Sequence, residues 1–248
     1  VTETSHHSPL DQFVVSPVVR LPEFFGIDTS ITNSALFMLL SVVVIGLFFA
    51  YAMRKRAAIP GRAQSLAEII YQFVDGIVVE NTGHDGRKYF PIIFTLFLFI
   101  LFVNFLGLVP HSFAPTSHII VTFGMGATVF TAITIIALIK QGPVGFFKHF
   151  IPEGLPIWIV PLMLVIELVS YLSRPFSLGI RLAANMAAGH TLMHVMAAFV
   201  APLAFFGIIP VAFLVFMMGF EFFVAILQAY VFTLLSCMYL GEALSDHH

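Results

Sequence analysis

Charge and cysteine are what this sequence has least of. Only 10% of its 248 residues are Asp, Glu, Lys or Arg, where a soluble domain carries about 25%, so an ordinary soluble domain is excluded. The one cysteine, Cys237, sits in an apolar run; without a second thiol there is neither a disulfide framework nor a thiolate metal site. No GxxxxGK[ST] phosphate loop occurs, and no HExxH or GxSxG, so the signatures of nucleotide hydrolysis, zinc proteolysis and serine hydrolysis are missing. The internal repeats common in secondary transporters are also missing. The first thirty residues are too polar to be the apolar core of a signal peptide, and the ends read as ordinary mature termini.

What is present is apolar sequence, 59% of the chain, in runs long enough for helical spans of about 20 residues and without the ten-residue alternation of an outer-membrane barrel. The expected fold class is an all-α integral membrane protein: about three conventional spans, an interfacial helix and a long, tilted, membrane-embedded helical hairpin. Residues 1–33, with prolines at 9, 17 and 22, form an outer segment of irregular or short-helical structure. Residues 34–248 form a single membrane domain. Its first span, 34–53, runs into Arg54, Lys55, Arg56 and Arg62, and positive charge beside a span marks the cytoplasmic or matrix side, which leaves the N-terminus outside.

From Leu66 to Val79 apolar residues recur at helical spacing while Glu68, Gln72 and Asp75 take the other face, which predicts a helix lying along the inner interface. Spans at 90–109 and 119–139 follow, joined by an outer loop without Lys or Arg and flanked inside by Arg87, Lys88, Lys140 and Lys148. The remaining runs, 157–200 and 203–240, are too long to stand upright. As helix the first would measure ~66 Å against a hydrocarbon core of ~30 Å. It either breaks near Pro175 into two spans or lies strongly tilted, bent at the proline.

Lys and Arg occur outside the inner loops only at Arg20, Arg174 and Arg181. A guanidinium inside a membrane segment costs at least ~2.5 to 3.5 kcal/mol, so the default reading of Arg181 is functional. It cannot release its proton near neutral pH, which leaves it as a fixed positive charge rather than a relay. At 100° per residue, Glu167, Ser170, Arg174, Ser177, Asn185 and Ala188 fall within roughly 40° of Arg181 on a continuous helix. This stripe of small and polar residues suits the close approach of another helix. His190 points roughly the other way, with His194 one turn on; the pair lacks a third ligand cluster. Glu221 and Gln228, seven apart with Ala225 between them, share a face of the last run, so the hairpin can set His190 against Glu221. Asn104, in the second span, fits either a helix-packing hydrogen bond or a water path, and Arg174 fits transport, a bond to carbonyls freed at the proline or an approach to the membrane interface. Glu221 pairing with Arg181 is a further structural alternative.

SLGIRLAANMAAGH, GFEFFVAILQAYVF and NFLGLVPHSFAPTSHIIVT resemble subunit a of F-type ATP synthases, the stator partner of the rotating c-ring, and the likeness extends over nearly the whole chain from Ser8. The resemblance implies that Arg181 faces the essential carboxylate of the ring. It implies that Asn185, His190, Glu221 and Gln228 belong to an outer half-channel and Glu167 to an inner exit, with Asn104, Ser170, Arg174 and Tyr230 as secondary candidates. Some family members carry the acid at the position of His190 and the histidine at that of Glu221; here the order is exchanged. No cofactor, metal or nucleic acid is implied. The implied partners are the c-ring, peripheral-stalk b-type subunits and membrane lipid, and the implied location is a bacterial inner membrane, with a mitochondrial inner membrane as alternative. An ion-coupled secondary transporter, whose midplane residues would also be Arg, Glu and His, is the competing class.

Overall fold

The computed structural model describes residues 15–19, 30–54, 60–109, 112–149 and 158–244. Arg20, Lys55, Arg56 and Ile157 lie outside the described residues. Among the described residues six α-helices run in order: α1 (Asn33–Ala52), α2 (Arg62–Thr82), α3 (Phe90–Gly107), α4 (Ile119–His149), α5 (Val160–Val200) and α6 (Ile208–Leu244). All but α2 are long and apolar enough to cross a membrane. The described part of the N-terminal segment departs from the expectation of irregular or helical structure. It forms an antiparallel pair, β1 (Pro17–Val19) with β2 (Ile31–Thr32), because β-branched residues suit extended backbone and a proline is tolerated at the first position of a strand. Thr32 then starts α1, its Oγ1 accepting from Ala35 N at 3.3 Å, the N-cap role of a threonine.

α2 is longer than the expected 66–79, and its buried residues Ala67, Val74, Ile77 and Val78 lie on one side. It stops at Gly83, whose φ of 67° and ψ of −170° belong to a region essentially reserved for glycine. A 3-10 turn, His84–Tyr89, brings Arg87 back onto Asp75 through two hydrogen bonds of 3.2 and 2.7 Å. α4 overruns the expected end at residue 139 because helical residues continue beyond a kink at Gly142, φ 70°.

Two compact units divide the chain. One comprises Val1–Ala50, Leu98–Ile119 and Leu182–Ala229, the other Tyr51–Phe97, Ile120–Arg181 and Tyr230–His248. The first unit has Ile100, Val103, Leu182, Met186, Ala225 and Ala229 in its core, and Phe105 stacks on Phe222 with centroids 4.8 Å apart. The second unit buries Val74, Val78, Ile133, Leu178, Phe232 and Leu240.

Within the second unit the helices approach to backbone contact. A Cβ on Gly126 of α4 would stand 2.9 Å from the Pro175 carbonyl oxygen of α5, and one on Gly179 of α5 would stand 2.8 Å from Phe123 Cα of α4. Small residues at such crossings let backbones touch, which is how helices pack where lipid supplies no hydrophobic drive. Pro175 is buried here and does not break the helix: α5 runs through it as 41 residues, about 61 Å long. Of the two geometries open to this run, two spans broken at the proline is not the one adopted. Gly179→Val should displace α4 and destabilise the protein by about 1–3 kcal/mol, the usual cost of overpacking. The check is the yield and melting temperature of detergent-solubilised complex, with Gly124→Ala, where an added Cβ meets nothing within 4 Å, staying at the wild-type values.

Candidate functional site

α5 separates two kinds of surface along its length. Pro175, Leu178, Gly179, Leu182, Ala183, Met186 and His190 are buried, a three-and-four spacing that marks one helical side. Ser170, Ser177, Arg181, Ala184, Asn185 and Ala188 are exposed, while Glu167 and Arg174 are half-buried. The exposed positions within about 60° of Arg181 are small or polar, so that side of α5 presents little bulk, whereas Leu172, Phe176 and Ile180 are exposed on other sides of the helix.

Arg181 stands exposed in that row. Among the described residues it has no hydrogen-bond or ion-pair partner. Arg174, two turns earlier, is placed differently: its Nη1 donates to Oε2 of Glu242 at 2.5 Å. This contact is not a bond to carbonyls freed at Pro175. The acid that takes its charge, Glu242, had not been singled out in the sequence; the signal was the scarcity of other acids along the last run.

His190 and Glu221 are both buried, at 8% and 4% exposure, although each is ionisable. No hydrogen bond joins them: His190 Nε2 and both Glu221 carboxylate oxygens are buried without a hydrogen-bond partner among the described residues. The carboxylate meets α5 at the residue before His190, where a side chain on Gly189 would collide with Glu221 Oε1. The carboxylate lies against bare backbone because glycine leaves room for it. Gly189 was missed by sequence reasoning, although a small residue beside a buried histidine was the available signal. On α6, Glu221 shares its buried side with Ala225 and Ala229, again small.

Further polar atoms of the same unit are buried without partners among the described residues: Asn104 Nδ2 and Oδ1, Ser34 Oγ and Thr116 Oγ1. Asn104, on α3, is fully buried, and neither end of its amide makes the helix-packing hydrogen bond that was one of its two expected roles. A buried polar group left unsatisfied costs about 1–3 kcal/mol, so several in one unit mark an interior suited to ordered water. The second unit has one such atom, Thr233 Oγ1. Gln228 is half-buried on α6, and Tyr230 packs its ring 5.8 Å from Phe73. No group of three or more His, Cys, Asp or Glu side chains among the described residues is placed to hold a metal ion.

Comparison with known proteins gives this arrangement its family. The sequence model described as "ATP synthase A chain" matches residues 35–241. The chain is 48% identical to ATP synthase subunit a of Wolbachia sp. subsp. Drosophila simulans (strain wRi), 47% to that of Wolbachia sp. subsp. Brugia malayi (strain TRS) and 46% to that of Wolbachia pipientis wMel. Each alignment spans 237 residues, 95% of this chain and 98% of the relative. With a family model over most of its length and relatives matched nearly end to end, the chain belongs to the ATP synthase subunit a family, a membrane component of the F-type ATP synthase complex and not its catalytic part.

Proposed function

We propose that this chain is the proton-conducting stator of its complex, with two offset half-channels and Arg181 facing a carboxylate carried by the c-ring. The observation that carries this reading is Arg181 itself, exposed on a row of small residues and without an anion among the described residues. An unpaired, permanent charge at that place in a membrane protein calls for a counter-charge. The bare face on which it sits suits a closely approaching helix. Membership of the family supplies the setting that a secondary transporter would lack.

The outer half-channel runs through the first unit. His190, Glu221, Asn104 and Gln228 line a hydrated interior that ends at Asn185 on the exposed side beside Arg181, and in it the buried oxygens of Glu221 and the ring nitrogen of His190 pass protons through water rather than by a direct bond. The inner half-channel runs past Glu167 and Ser170. Arg181 blocks a short circuit between them, because a fixed positive charge repels a proton in transit and cannot relay it. A proton taken up outside neutralises a ring carboxylate, which leaves the arginine for lipid, and after most of a turn it is released inside. Each charge crossing the membrane yields ~2.3 kcal/mol per 100 mV, accumulated over several protons for ATP formation elsewhere in the complex.

The orientation follows the basic residues. Arg54, Arg62, Arg87, Lys88 and Lys140 belong to the cytoplasmic side, which sets the N-terminus in the periplasm and the C-terminus in the cytoplasm of a bacterial inner membrane. α5 and α6, at 41 and 37 residues, exceed the bilayer core and lie tilted within it. Peripheral-stalk b-type subunits and lipid cover the remaining apolar surface.

Arg181→Ala should abolish proton-driven ATP synthesis in membrane vesicles. Arg181→Lys should fail as well, because an ammonium is a point donor without the planar fork; wild-type rates in either variant would refute the reading. Glu167→Gln should slow proton release yet leave measurable synthesis, since Ser170 and water share that exit, and complete loss in an assembled complex would make Glu167 an obligatory relay. The singles His190→Glu and Glu221→His should each impair proton uptake from outside. The double exchange should recover more activity than the singles imply, since the acid and the base remain in one hydrated pocket. Activity of the double exchange at or below its worse parent, at normal assembly on blots, would separate the two residues.

A further inference from the structure

The side of α5 that carries Arg181 carries a second guanidinium in the opposite electrostatic condition. Arg174 lies seven residues earlier, two turns and ~10.5 Å along the axis. Its ion pair with Glu242 is only part of its setting. The guanidinium also lies over the ring of Tyr239 at 4.5 Å and that of Tyr171 at 5.4 Å, faces that attract a cation. The Tyr171 hydroxyl is held by Thr134 Oγ1 of α4 at 2.7 Å. The last carbonyls of α6 are anchored on α4 too, Ala243 O by Gln141 Nε2 at 3.0 Å and Leu244 O by Lys140 Nζ at 3.4 Å, with the lysine at the negative end of the helix dipole. α4, α5 and α6 thus converge on Arg174 and fix both the cation and its anion. The Arg174 side chain retains 18% exposure.

An arginine cannot be silenced by losing its proton. Only a fixed anion removes it from competition for another carboxylate, and all residues that hold Arg174 and Glu242 together lie in the same compact unit as Arg181. We propose that Glu242 is a charge-masking, positioning residue: it neutralises and turns aside Arg174, so that a passing ring carboxylate meets one unneutralised cation, Arg181, and is not held at a second one two turns away. The proposal rests on the reading of Arg181 as the group that meets that carboxylate. Without Glu242, Arg174 would form an extra resting place in the path of the ring, and the effect would fall on turnover.

The test is proton-driven ATP synthesis in vesicles holding the complete complex, normalised to assembled complex, for Glu242→Gln, for Arg174→Gln with Glu242→Gln, and for Arg181→Ala. Glu242→Gln should slow synthesis by about tenfold, and the double substitution, which removes the unmasked cation, should return it to within about threefold of wild type, as expected when a mutation's harm is an uncompensated charge. A purely structural clamp gives no rescue, because the double variant then loses the same bond and gains nothing. Wild-type synthesis by Glu242→Gln, or a double variant no faster than Glu242→Gln, would overturn the proposal. Should Glu242→Gln fail to assemble, assembly and synthesis by the double variant support masking, and failure of both overturns it. Wild-type synthesis by Arg181→Ala would instead strike at the underlying reading, whereas an inactive Arg181→Ala beside an unrescued double variant would remove the masking role alone.

Discussion

A guanidinium cannot be discharged, and most of what matters in this protein follows from where its two intramembrane guanidinium groups find their anions. Arg174 finds one inside the chain, in Glu242. Arg181, on the same helix, has none among the described residues. Burying both charges would require two good internal ion pairs, each recovering a desolvation penalty of several kcal/mol per ion. One pair is built and the other charge is left at the surface, where only another molecule can complete it. On the proposed reading the incomplete charge is the functional one.

Packing makes that exposure possible. Gly126 and Gly179 bring α4 and α5 to backbone contact, and Ser170, Ser177, Ala184 and Ala188 keep the side that carries Arg181 low. In the other unit Gly189 gives up a side chain to admit the Glu221 carboxylate, which leaves a carboxylic group buried and without a hydrogen-bond partner from the described chain. Such a group is costly to stability, and on the proposed reading it is kept because it carries protons.

Much of this was legible in the sequence because it depends on composition and period. Long apolar runs fixed the class, the 100° wheel set Arg181 among Ser170, Ser177, Asn185 and Ala188, and the same wheel turned His190 to the other side, where the structure buries it. What depends on distant partners was not legible. Pro175 reads either as a break or as a bend, and the choice depends on a distant partner: α5 continues through it, with α4 packed against that turn at Gly126. His190 and Glu221 read as facing each other, and the wheel could not show that no hydrogen bond joins them or that the carboxylate settles against Gly189, since side-chain period gives direction and not reach. Glu242 had no role until α6 was folded back beside α5, and no local pattern marks it as the partner of Arg174. The small β1–β2 pair was overlooked for the same reason: its strands, three and two residues long, mean nothing until they are paired.

The central claim, that the exposed side of α5 is covered by a helix of the ring bearing the carboxylate, is tested most directly by oxidative cross-linking in the assembled complex. Single cysteines would be placed at Ser170, Ser177, Ala184 and Ala188 on the exposed side and at Leu178 and Leu182 on the buried side, each against a cysteine one turn from the ring carboxylate, with Cys237→Ser as background. Disulfides to the ring should form from the exposed positions and not from Leu178 or Leu182. Cross-links from the buried positions, or none from the exposed row in a complex that assembles normally, would contradict the claim.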